Sequence, residues 1–255
     1  AYTTIDDPSA YFNSLIYTGN VTVRALTFDG NSDLAVDWIW LKSRSISGNH
    51  HLYDSVRGTQ KHLRSNLDSA EGTNGGTDGV TAFSSNGVTI GTNTASNDDG
   101  ETFVGWGWKA GTSFTNDASG TGIGTIDSAG SVNTDAGFSI ISFTGTETSS
   151  QSVAHGLGAV PELIISKSRD VADNWMVHHG SFSENDYISL NLTNAKASAS
   201  SVWSSLPTST VINIGDNAGV NDDGAMIMYA FRSVQGYSKF SSYIGNGNAD
   251  GTFVY

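Results

Sequence analysis

A ten-residue run, YFNSLIYTGN at Tyr11–Asn20, returns as GFSIISFTGT at Gly137–Thr146 and as YSKFSSYIGN at Tyr237–Asn246. Each copy carries an aromatic (Tyr17, Phe143, Tyr243) two residues before a glycine (Gly19, Gly145, Gly245), which is the pattern of a strand running into a turn. The first two copies begin 126 residues apart. A recurrence at that spacing restricts the chain to two similar units followed by the opening of a third.

The second unit repeats further landmarks in the same order. DWIWLKSR at Asp37–Arg44 corresponds to ELIISKSR at Glu162–Arg169, and KHLRSNLDSAE at Lys61–Glu71 to DYISLNLTNAK at Asp186–Lys196, which sets Asn66 against Asn191. NDDG at Asn97–Gly100 recurs letter for letter at Asn221–Gly224, and FVGWGW at Phe103–Trp108 is answered by MIMYAF at Met226–Phe231.

Composition agrees with a chain of short strands and frequent turns: 30 Gly against 3 Pro, and only 15% charged residues. The hydrophobic 37% is clustered, which argues against disorder. A chain of 255 residues can bury one large core or two ordinary ones, and the repeat favours two. With no Cys there is neither a disulfide nor a thiolate metal site, and the compartment stays open. No apolar run reaches membrane-spanning length. The net charge of −13 repels phosphate backbones and anionic headgroups, so neither nucleic acid nor membrane is an expected partner. Position 1 is Ala and no basic leader precedes it, as in a processed chain or an interior piece of a longer one.

Strands are predicted over Val21–Phe28, Val36–Leu41, Val80–Ile90, Thr102–Trp108, Phe138–Phe143, Leu163–Ser166, Tyr187–Leu192, Val211–Ile214 and Ala225–Phe231. Asp7 caps a short helical turn that has Pro8 at its first position, and Thr193–Ser201 is the other helical candidate. Residues 112–133 are rich in Gly, Ser and Thr and read as a linker with one thin strand. The expected fold is all-β: two tandem antiparallel β-sandwich repeats, jelly-roll or lectin-like, over residues 1–111 and 134–255. The second would carry the opening strand of a third repeat at 237–255. A single fused sandwich is the alternative.

The stretches YTTIDDPSAYF, DWIWLKSRS with LYDSVRG, WGWKAG, HGLGAVPELIISKSR and GYSKFSSYIGNGNADGTFVY together make the chain similar to a repeat domain of unknown function. That domain is found in tail-fibre-like and other structural proteins of tailed phages, often marine ones. The resemblance covers nearly the whole chain. It implies a structural or adhesive role at the virion surface, with other virion proteins as partners, in chains often longer than this one. It implies no catalytic residues.

Catalytic constellations are sparse. The five glutamates (Glu71, Glu101, Glu147, Glu162, Glu184) form no evident carboxylate pair, and most aspartates sit in turns. There is no GxSxG elbow. Adjacent histidines, His50-His51 and His178-His179, point to opposite faces of a strand and make no ready chelate. The expectation is therefore not an enzyme. For metals, Asn246, Asn248 and Asp250 in NGNADG and Asp29 and Asp33 in DGNSD offer hard oxygen ligands for calcium, against the competing reading of Asn/Asp-stabilised turns. No cofactor is expected, with calcium as the alternative.

Trp38 and Trp40 share one strand face, and Trp106 and Trp108 share another with Gly105 and Gly107 behind them, as packing positions do. For glycan contact the candidates are Tyr53, Asp54 and Arg57 in the first unit and Trp175, His178 and His179 in the second, each with a packing role as its competitor. The expected function is a virion structural protein of a tail fibre, spike or capsid-decorating appendage. It would be homo-oligomeric and bind a host-surface glycan through many weak contacts. The alternative is a secreted carbohydrate-binding module.

Overall fold

Apolar alternation becomes strand pairing through most of the chain in the computed structural model, which describes residues 3–253. The first half holds β1 (Phe12–Thr18), β2 (Arg24–Leu26), β3 (Trp38–Ser43), β4 (His51–Asp54), β5 (Lys61–His62), β6 (Gly72–Thr73), β7 (Val80–Ser84), β8 (Gly87–Ile90) and β9 (Thr102–Trp108). These form a four-stranded sheet ordered β1-β9-β3-β4, a three-stranded sheet β2-β8-β7 and a ribbon β5-β6. The second half holds β10 (Thr112–Asn116), β11 (Ser128–Asn133), β12 (Phe138–Thr144), β13 (Gln151–Ala154), β14 (Leu163–Ser168), β15 (Met176–His179), β16 (Asp186–Ser189), β17 (Ala197–Ser198), β18 (Val211–Ile214) and β19 (Ala225–Phe231). Eight of them make one sheet, β10-β11-β12-β19-β14-β15-β16-β17, and β13 pairs with β18. The protein is thus mostly β, in several antiparallel sheets. Among the described residues no helix is long and apolar enough to cross a membrane.

Strand order β12-β19-β14-β15 reproduces β1-β9-β3-β4, and the registers agree. Phe12 faces Trp108, which faces Trp38, as Phe138 faces Phe231, which faces Leu163. The shared turn chemistry explains the recurring glycine. An added Cβ on Gly19 would lie 1.9 Å from the Asp98 carbonyl oxygen, and one on Gly145 would lie 2.0 Å from that of Asp222, so each strand can pass its NDDG turn only without a side chain. In that turn Asn97 donates to the carbonyls of Thr22 and Gly91 and accepts from Asn20 N–H. Asn221 does the same with Thr148, Gly215 and Thr146.

Successive side chains serve opposite cores. On β3, Ile39 and Leu41 join Phe28, Leu34, Val88 and Phe103 inside the first half. Trp38 turns the other way, into a core shared by both halves, where it meets Phe138, Trp175 and Tyr229. On β19, Met226, Met228 and Ala230 face the core of the second half, while Ile227, Tyr229 and Phe231 face the shared one. Burial on both sides accounts for the uninterrupted apolar run of that strand. The shared core holds twelve buried residues. Burying a large apolar side chain contributes roughly 1.5–3 kcal/mol, so this shared core makes a substantial hydrophobic contact between the halves.

Several expectations are corrected. Residues 112–133 are not a linker with one thin strand: β10 and β11 form a hairpin that extends the sheet at β12, with the short helix α1 (Ala118–Thr121) at its tip. The glycine content misled because Gly130 is needed for close approach, a Cβ there lying 1.9 Å from the Ile140 carbonyl oxygen. Val21–Phe28 narrows to β2, Val80–Ile90 is the β7-β8 hairpin, and Thr193–Ser201 carries β17 and no helix. The third copy forms no strand among its described residues; it meets the fold through a bridge between Val234 and Ser238, an edge contact of Tyr237 with Tyr11 and the packing of Phe240 on Phe231. The Asp7-capped turn holds, at Pro8–Ala10.

Candidate functional site

Of the residues selected for glycan contact, Asp54 and Trp175 bond across the seam between the halves, and all but His179 are buried. Tyr53 is buried in the first core; its hydroxyl accepts from Asn74 Nδ2 at 3.0 Å, and burial pushes its pKa up to about 12. Asp54 is wholly buried and takes Arg57 Nε at 2.5 Å and the Tyr229 hydroxyl of the second half at 2.6 Å on one oxygen. Arg57 also donates to the Leu52 carbonyl at 3.0 Å and to Glu71 Oε2 at 3.1 Å. Glu71 in turn receives both arms of Arg169 from the second half, at 2.9 Å each. Burial disfavours the charged form of Glu71, yet the hydrogen bond from Arg169 and the charge of Arg57 hold its carboxyl below the usual range. Burial likewise opposes the Arg57 charge, and Asp54, Tyr229 and Glu71 outweigh it.

Trp175 is buried and donates to the carbonyls of Arg64 and Leu67 at 3.0 Å each, pinning the β5–β6 segment onto the second half. His178 is buried and kept below its ordinary pKa, first by burial and then by the neighbouring His179. Only His179 reaches the surface, with Nδ1 2.8 Å from Ser181 Oγ. A buried face cannot stack on a sugar, so Tyr53, Asp54, Arg57, Trp175 and His178 are corrected to buried internal positions, of which Asp54, Arg57 and Trp175 belong to the contacts that join the halves.

The calcium candidates lie apart. In NGNADG the Asn246 side chain accepts from Asn248 N–H at 3.0 Å and that of Asn248 from Asp250 N–H at 3.2 Å, so these oxygens stabilise a turn. Asp33 accepts from Asn86 Nδ2 at 2.9 Å, and Asp29 is exposed. Among the described residues no group of three or more His, Cys, Asp or Glu is placed to hold a metal ion.

Sequence reasoning missed the Glu71–Arg169 clasp, which joins residues with no local pattern between them. It also missed two cavities along the seam. One, of about 310 Å³, lies among Tyr11, Phe12, Phe138, Tyr237 and Phe240, the opening residues of all three copies. The other, of about 330 Å³, is lined by Trp40, His50 and Asn66 of the first half and by Leu190, Asn191 and Leu192 of the second. Two equivalent hydrogen bonds frame it: Asn66 Oδ1 accepts from His50 N–H and Asn191 Oδ1 from Trp175 N–H, both at 3.0 Å. The alignment of Asn66 with Asn191 was the available signal.

Among known protein families, residues 7–255 match the one described as a domain of unknown function (DUF7483). No curated protein and no solved structure matches.

Proposed function

The chain belongs to the DUF7483 family of unknown function, and from that premise we propose that it is a structural and adhesive module of a virion appendage, built from two tandem β-sandwich repeats. The observation that carries this reading is the fusion of two like-ordered sheets, β1-β9-β3-β4 and β12-β19-β14-β15, across one core and one ionic lock. Such a joint transmits load between repeats, as a fibre or spike requires, and the third copy opening at Tyr237 marks the direction of iteration. The virion setting comes from the sequence resemblance.

Homo-oligomerisation is part of the proposal. The outer edge of β1 has no neighbouring strand among the described residues, whereas the equivalent edge of β12 is covered by β11. An uncovered edge is a template for another chain. A second reading, a secreted carbohydrate-binding module without catalytic activity, is favoured by the uncharged cavity beside Trp40.

Mass by light scattering, with and without EDTA, tests the assembly. A trimer or larger ring unchanged by chelation is the expected outcome. A monomer at every concentration sinks the assembled-appendage reading, and a mass that falls with EDTA restores calcium at Asp29 and Asp33 or at Asn246, Asn248 and Asp250.

A further inference from the structure

The cavity beside Trp40 has the chemistry of a binding site for a neutral, hydroxylated ring. Its volume of about 330 Å³ sits at the lower end of small-molecule sites, roughly 300–1,000 Å³. No Asp, Glu, Lys or Arg lines it. Trp40 is half-buried and supplies a flat apolar wall that Leu190 and Leu192 extend.

The polar groups are already oriented. Trp40 Nε1 donates to His50 Nδ1 at 2.8 Å, so the neutral imidazole carries its proton on Nε2 and presents a donor. Asn66 donates to Asn49 Oδ1 and accepts from His50 N–H, and Asn191 donates to Asn174 Oδ1 and accepts from Trp175 N–H. Each amide therefore retains one hydrogen and one lone pair, and their positions are fixed by backbone on both sides of the seam. Fixed amides beside an aromatic face suit vicinal hydroxyls over a pyranose ring.

We propose that Trp40, His50, Asn66 and Asn191 form a subsite for one neutral hexopyranose, with the sugar's apolar face on Trp40 and its hydroxyls on the two amides. An anionic sugar is disfavoured by the absence of a cation in the lining and by the net charge of −13. The inference rests on the adhesive half of the proposed function.

The test titrates the whole protein with methyl glycosides of glucose, galactose, mannose and N-acetylglucosamine, and with sialyllactose, read by tryptophan fluorescence and saturation-transfer NMR. At least one neutral glycoside should saturate, and sialyllactose should not. Trp40→Ala and Leu192→Asp should each weaken binding about tenfold or more. Trp40 also packs on the shared core, so Leu192→Asp, at an exposed rim position, is the variant that keeps the fold. Failure of every neutral glycoside to saturate at millimolar concentration overturns the subsite, as does affinity unchanged in both variants. An assembled particle that binds no glycoside overturns the subsite alone, whereas a glycoside-binding monomer overturns the assembly alone.

Discussion

Asn221 is completely buried, and its one amide satisfies three backbone groups: the carbonyls of Thr148 and Gly215 and the N–H of Thr146. Asn221→Ala should cost about 2–4 kcal/mol, because buried polar groups left unpaired forfeit their desolvation energy. Asn221→Asp should not rescue it, since a carboxylate cannot donate to the two carbonyls. The urea midpoint reads both. The buried histidines give the second prediction at this scale. His51 and His62 have rings 5.4 Å apart, and each pKa is lowered from 6.5 to about 4. Burial is the larger cause for both; His62 and Arg64 add to it for His51, and Arg64 and Arg57 add to it for His62 against the pull of Glu71. Because the unfolded chain takes up these protons first, the stability from neutral burial is complete above pH 6.5 and is lost as pH falls towards 4. Glu71 works with the same sign, its depressed pKa removing stability on acidification. The unfolding free energy read by urea should therefore fall between pH 7 and 4.5, by an amount on the order of 3 kcal/mol for the histidine pair. His51→Gln with His62→Gln should flatten that slope; an unchanged slope would show that the pair does not carry it.

The β10–β11 hairpin protects the edge of β12, and its fit depends on Gly130 lying against the Ile140 carbonyl. Gly130→Val should force the strands apart at a cost of about 2–3 kcal/mol. It should also make the chain aggregate on mild warming, as seen in Tm and scattered light. That hairpin was hidden in the sequence because the same glycines that permit close strand approach look like linker composition. By contrast Thr102–Trp108, Val211–Ile214 and Ala225–Phe231 were legible residue for residue, since their β-branched and aromatic runs end at clear turn signals. Strands β4 and β15 were illegible for a physical reason. HLYD and MVHH contain polar side chains that are mostly buried, with Asp54 bonded across the seam to Tyr229, and a reading that equates polarity with surface assigns them to loops. The glycan candidates were drawn from that misplacement. Gly19 and Gly145 stood out as a repeat, but their reason, a carbonyl pressing from the NDDG turn, exists only in three dimensions.

At the scale of the whole molecule, the two halves should melt as one. Trp38 stacks on Tyr229 at 4.4 Å and lies 5.7 Å from Phe138, both in the second half, while Asp54, Arg57 and Glu71 meet Tyr229 and Arg169 alongside. Neither half can open without exposing this core and stranding a buried guanidinium. The ionic lock and the aromatic core make different demands. Glu71→Gln removes the charge between two arginines and should cost about 3–5 kcal/mol, the usual toll of breaking a buried pair from one side. Lys61→Met, at 4.0 Å from Glu71 with its side chain 41% exposed, should cost almost nothing. Equal losses in the two variants would mean that the clasp is a surface feature and not a lock. Trp38→Ala should cost about 3–5 kcal/mol through the cavity it leaves, and because that cavity sits between the halves it should weaken their coupling more than either fold. Calorimetry then distinguishes the two architectures weighed from the sequence. A single transition in the wild type that splits in two in Trp38→Ala describes sandwiches that fold separately and are welded at the seam. A single transition that only moves to lower temperature describes one fused body, in which the repeat survives as ancestry of the pattern and no longer as a unit of folding.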